Sequence, residues 1–203
     1  MTMIKWEKAL IDADFSFKLG KLEHEDALIK YVGALVDKIY IHRYIYDTEI
    51  LTPKRVRAQI DQLITQDRAE IVDLSSLPSA LEKALYQEVV KLLKQADTKT
   101  REMGKNWGET VSLAYAKASS IPYFLSDEKD LQQLADDFLN NENAQDIQVI
   151  RVRDFILALK EAGFRRKECQ MLWLVANFDP ERKEESREWA KEVFNQELWF
   201  LEK

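Results

Sequence analysis

Acidic residues recur where short apolar runs give way to helical patterns, and they do so in three separate parts of the chain. Ala9-Leu10-Ile11 leads into Asp12-Ala13-Asp14. Gly108-Glu109 opens an alanine-rich helical stretch, Thr110 to Ala118. The apolar run Ile121 to Leu125 ends at Ser126-Asp127-Glu128. In an open α/β sheet the carboxyl ends of the strands share one edge, and ligands bind along it. Carboxylates gathered there repel one another unless a positive charge lies between them. The hard divalent ions magnesium and manganese prefer oxygen ligands and suit such a place. The pattern points to an α/β architecture with an acidic edge, and to metal-assisted chemistry on a phosphate ester.

The remaining segments fit that architecture. His24 to Leu35 carries Ala27, Leu28, Tyr31, Val32 and Leu35 at a helical period. Lys38 to Tyr46 is β-branched and aromatic, which predicts extended structure. Thr52-Pro53 predicts a helix start, with Thr52 as N-cap, Pro53 in the first turn, and Val56, Ile60, Leu63 and Ile64 on the buried face. A short strand over Glu70 to Leu74, an amphipathic helix over Ser79 to Ala96 and a polar loop over Asp97 to Asn106 follow. Helices over Glu109 to Ala118 and Asp127 to Leu139 bracket a strand at Ile121 to Leu125. A polar turn, Asn140 to Gln145, precedes a last strand at Ile147 to Val152 and a helix from Asp154 to Ala162 that Gly163 stops. Arg165 to Glu202 reads as helical throughout. Pro180 opens its final helix, whose Trp189, Val193, Phe194 and Phe200 are expected to pack back on the body. Strands alternating with helices predict a three-layer α/β/α fold with a mainly parallel central sheet over residues 1–163. A C-terminal helical extension, residues 164–203, is expected to pack on it.

Composition narrows the function classes. The chain has 203 residues, 46% of them hydrophobic and 10% aromatic, enough for one good core and too apolar for disorder. A net charge of −6 argues against coating nucleic acid by bulk charge, while leaving room for a local basic rim around an acidic cleft. Cys169 is the only cysteine, so no internal disulfide forms, which suits a reducing compartment. Met1 to Glu7 lacks the apolar core of a signal peptide, and the apolar run near Cys169 to Phe178 is far short of the ~20 residues that span a bilayer. A cytoplasmic protein without membrane contact is expected. None of the five glycines forms a phosphate-binding loop, so no nucleotide cofactor is expected.

Taken singly, several of the acids have ordinary roles. Glu109, Asp127 and Glu128 suit the first turn of a helix, where negative charge favours the dipole, and Ser126 suits an N-cap. Asp12 and Asp14 are harder to dismiss, because strand-end aspartates in an apolar context are costly to desolvate unless paired or metal-bound. Together these residues resemble the PIN-domain family, a metal-dependent ribonuclease fold shared with toxin-type nucleases. Ile11-Asp12-Ala13-Asp14 is similar to the end of the family's first strand, Gly108-Glu109 to the opening of its alanine-rich helix, and Phe124 to Glu128 to the acidic end of the following strand. The resemblance covers roughly residues 8 to 155. It implies Mg2+ or Mn2+ held by Asp12, Glu109 and Asp127, with Glu128 a further ligand. It also implies a second acid, Glu49 by preference or Asp47, and leaves the fourth open among Asp127, Glu128 and Asp130. Asp14, Asp47 and Asp130 are candidates for supporting places around them. The implied substrate is single-stranded RNA. Lys54, Arg55 and Arg57, in the first turns after Pro53, are the candidate substrate contacts, with Arg151, Arg153 and Arg165-Arg166-Lys167 a second basic group. An inhibitor protein or a second copy of the chain are the further partners to consider.

Two rival readings arise. Asp12-Ala13-Asp14 and Ser126 to Asp130 also resemble motifs of haloacid-dehalogenase-type phosphohydrolases, although Phe15-Ser16 fits that pattern poorly. A catalytically inactive binding module is the other, with Trp173, Trp189 and Trp199 on the C-terminal helices as partner contacts.

Overall fold

The computed structural model describes residues 5–22, 25–97, 106–141 and 146–200. His24, most of the polar loop before Asn106, most of the turn after Asn140, and Glu202 lie outside the described residues. Strand β1 (Trp6–Ile11) is central, and its end is apolar on both faces, as expected of a strand covered on two sides. Ala9 and Ile11 face one core while Leu10 faces the other. Strands β2 (Val36–His42) and β4 (Tyr123–Leu125) flank β1. Strands β3 (Ala69–Val72) and β5 (Gln148–Ile150) form the outer positions. All pairings are parallel and the order is β3-β2-β1-β4-β5. The fold is thus α/β with helices on both faces, as the sequence pattern predicts.

The chain builds outward from β1 through β2 to β3, then returns to place β4 and β5 on the other side of β1. The order therefore reverses between β1 and β4, the kind of switch point where open α/β sheets bind ligands. One face carries α1 (Ala13–Gly20), the short α2 (Gly33–Leu35), α3 (Lys54–Thr65), α7 (Val152–Glu161), α8 (Arg166–Ala176) and α9 (Lys183–Val193). The other carries α4 (Ala80–Asp97), α5 (Trp107–Ser119) and α6 (Leu131–Phe138). Helix α5 is buried along most of its length, and its small residues Gly108, Ser112, Ala114, Ala116 and Ala118 let it lie close to its neighbours.

Several elements depart from the sequence pattern. Helix α1 follows Asp12 directly, its Phe15 and Leu19 one turn apart and fully buried; Phe15 meets Phe155 edge-on at 5.4 Å. The extended run expected to Tyr46 stops at His42, and Ile45–Glu49 forms a wide helical turn that buries Ile45. Burial of that one side chain outweighs the β propensity of its neighbours. Helix α3 starts at Lys54, with Pro53 extended at the N-cap position and Thr52 outside the helix. Helix α6 begins at Leu131, four residues after Asp127, which leaves Asp127 and Glu128 on a loop. At the C-terminal end, residues 177–182 interrupt the helices. The buried stripe there is Ala190, Phe194 and Leu198, while Trp189 and Phe200 are 51% and 66% exposed. One residue turns a helical face by about 100°, so the expected packing holds at Phe194 and Val193 and fails at Trp189 and Phe200. Among the described residues no helix is long and apolar enough to cross a membrane.

Candidate active site

Asp12 sits at the switch point. Its backbone N–H donates to the Leu125 carbonyl at 2.9 Å, continuing the β1–β4 ladder, and its own carbonyl accepts from the Ser16 N–H and hydroxyl as α1 begins. The carboxyl is thereby fixed in a nearly closed space; Asp12 is 3% exposed. The fully buried Ser126 donates its hydroxyl to Asp12 Oδ2 at 3.3 Å from the end of β4, and accepts from the Glu128 N–H at 3.4 Å. Burial, then the charge of Glu109 and further that of Glu49, pushes the Asp12 carboxyl up to about 8. Glu49 is raised in turn by burial and by Glu109. Three acids from three elements, the end of β1, the wide turn after β2 and the start of α5, therefore share one electrostatic environment.

Glu109 lies in the first turn of α5, and Glu49 closes the turn Ile45–Glu49. The Glu49 carboxylate reaches the same first turn. A methyl group added to Gly108 would lie 2.6 Å from Glu49 Oε1. Of the two acids the sequence left open after β2, it is thus Glu49 that joins Asp12 and Glu109; Asp47 is exposed and acts electrostatically on Arg43.

Asp127 has different company. Lys18 Nζ stands 2.7 Å from its Oδ2 and 2.8 Å from Asp14 Oδ2, the Val152 N–H donates to Asp127 Oδ1 at 3.2 Å, and Arg151 Nε lies 3.5 Å from the same oxygen. Burial would depress the Lys18 ammonium, but its hydrogen bonds to Asp127 and Asp14 outweigh that and raise its pKa. Lys18 is a cation already lodged between two of the strand-edge carboxylates. Its partnership with Asp14 is an i,i+4 pair on α1, visible in the sequence only once residues 13–20 are read as a helix. Ser126, which reads as an N-cap in sequence, serves as a link between strand ends. Glu128 stays on the loop and Asp130 precedes α6 at the surface.

The oxygen donors fit a hard divalent ion, since a carboxyl pushed up to about 8 by burial and then by its acidic neighbours is relieved by positive charge. Yet among the described residues no three or more His, Cys, Asp and Glu side chains already stand in a metal-holding arrangement. Two clefts flank the Asp14–Lys18 pair. One, about 760 Å³, is bordered by Asp127, Lys129, Arg151, Arg153 and Trp189; the other, about 620 Å³, by Lys21, Leu22, Phe178 and Pro180. The expected substrate contacts Lys54, Arg55 and Arg57 line neither. Lys54 and Arg55 are exposed, Arg55 3.4 Å from Asp26, whereas Arg57 stacks on Tyr46 at 3.2 Å and pairs with Asp61. No family model, curated protein or solved structure matches the chain.

Proposed function

We propose that the chain is a metal-dependent endoribonuclease of PIN type, toxin-like in its chemistry, that hydrolyses phosphodiester bonds in single-stranded RNA with the help of Mg2+ or Mn2+. The observation that carries this reading is the burial of Asp12 at the β1–β4 switch point under the combined charge of Glu109 and Glu49. Asp12, Glu49 and Glu109 would hold the ion, closing on it from their present positions. When bound, such an ion lowers the pKa of its water and neutralises charge on the phosphate. Asp12 gives up the proton that it otherwise retains near neutral pH, and Ser126 keeps its Oδ2 oriented. Lys18 offsets Asp14 and Asp127, so the edge is less repulsive to an incoming phosphate than its acid content suggests. Arg153 and Lys129 border the larger cleft beside the half-exposed Trp189, whose ring offers a face to an unpaired base.

The phosphohydrolase alternative asks Asp12 to attack phosphorus as an anion. Phe15 and Ser16, which follow the aspartate pair and are both buried in α1, fit that family's pattern poorly. The deciding experiment incubates the purified chain with a single-stranded RNA oligomer. Internal cleavage in Mg2+ or Mn2+, stopped by chelator and lost in Asp12→Asn, supports the nuclease. Hydrolysis of small phosphomonoesters with the RNA left intact would sink it.

A further inference from the structure

Gly108 sits buried in the first turn of α5 with an ordinary helical backbone; among the described glycines only Gly163 has a positive φ. Backbone freedom therefore does not require glycine at 108, and glycine weakens a helix relative to alanine. What a side chain would meet there is specific. A Cβ at 108 would lie 2.6 Å from Glu49 Oε1, 3.0 Å from Oε2 and 3.1 Å from Cδ, and these are its three nearest neighbours. All belong to one carboxylate at the end of a flexible side chain. An alanine would leave the backbone of α5 in place and push that carboxylate away.

We infer that Gly108 is a positioning residue, whose missing side chain makes the seat that holds the Glu49 carboxylate against α5, beside Glu109 and within reach of Asp12. The inference rests on the metal-dependent reading for its purpose, but the seat itself exists without metal. Its signature is a substitution that leaves the fold intact or firmer while it weakens the site.

The test uses the full chain and Mn2+ alone as probe. By titration calorimetry, Gly108→Ala should bind Mn2+ at least about tenfold more weakly than wild type. Adding Gly108→Ala to Glu49→Ala should weaken binding no further. Thermal melts in chelator supply the metal-free measurement. In the Glu49→Ala background, where the seat is empty, Gly108→Ala should raise Tm by about 2–3 °C. In wild type the gain should be smaller or absent. Wild-type Mn2+ affinity in Gly108→Ala, or equal Tm gains in the two backgrounds, overturns the inference and leaves the nuclease proposal standing. A wild-type protein that binds no Mn2+ overturns the metal-dependent reading, and the seat is then decided by the two Tm gains alone: a larger gain in the Glu49→Ala background supports it and equal gains overturn it.

Discussion

At the scale of single residues, the chain's most unusual group is the Asp12 carboxyl. Its pKa is about 8 in the folded protein and near 4 when unfolded. Between those values the folded state holds a proton that the unfolded state has released. The stability Asp12 contributes is thus full below about pH 4 and is lost as pH rises through 8. Asp12→Asn removes that dependence. It is expected to leave Tm at pH 8 equal or higher, to flatten the decline between pH 5 and 8 seen by denaturant titration, and to reduce RNA cleavage at least about a hundredfold. A fall in Tm with normal cleavage would remove Asp12 from the site. The position of Asp12 was legible in sequence because desolvating an aspartate in an apolar run is too costly to be incidental. Glu49 was legible only as one of two candidates. What separates it from Asp47 is which side of a wide turn meets Gly108, and no local pattern encodes that. Only the family resemblance groups Asp127 with Asp12 as a metal ligand, and Lys18, from a helix the pattern did not reveal, is the cation that pairs with it.

At the scale of elements, β2 and α4 are joined through a buried histidine. The Tyr44 N–H donates to His42 Nδ1 at 3.2 Å, so the ring proton sits on Nε2, which faces Tyr86 Oη at 3.1 Å. Burial lowers the imidazole to about 4. Here the unfolded chain takes up the proton first. This contribution to stability is therefore full above about pH 6.5 and lost as pH falls through 4, opposite in sign to that of Asp12. The loss is expected to reach about 3 kcal/mol at most, and NMR titration of the imidazole should show it neutral at pH 5.5. Tyr86→Phe leaves the Nε2 proton without its acceptor and should cost about 1–3 kcal/mol in denaturant melts. Elements with a strong period, such as α4 and α5, were legible in the sequence. Helix α1 was not, because eight residues with two buried aromatic or aliphatic anchors give too short a repeat. The start of α6 was misplaced because Ser126 and Asp127 imitate a helix cap while serving the β4 edge.

At the scale of the whole molecule, the C-terminal helices complete the core on the α1 face. Trp173 and Phe194 are buried in the same cluster as Phe15 and Phe155, and Trp173 Nε1 donates to the Ala190 carbonyl at 2.9 Å. Phe194→Ala is accordingly expected to cost about 3–5 kcal/mol, against under about 1 kcal/mol for the half-exposed Trp189→Ala, both read by urea unfolding. A result with the order reversed would mean that the exposed face is covered in solution, as in a dimer. The same arrangement bears on how the chain is made. Trp6 stacks on Phe155 at 6.0 Å, and Lys5 pairs with Glu161, so the first described residues are covered by a helix about 150 positions later. At about 5–20 residues per second, a ribosome needs roughly 7–30 seconds to deliver that helix. Through that interval β1 can gain β2 and later β4 beside it, with Tyr123 6.1 Å from the Trp6 ring, but the indole lacks the Phe155 ring that stacks on it. The nascent chain carries a sticky patch until that helix emerges.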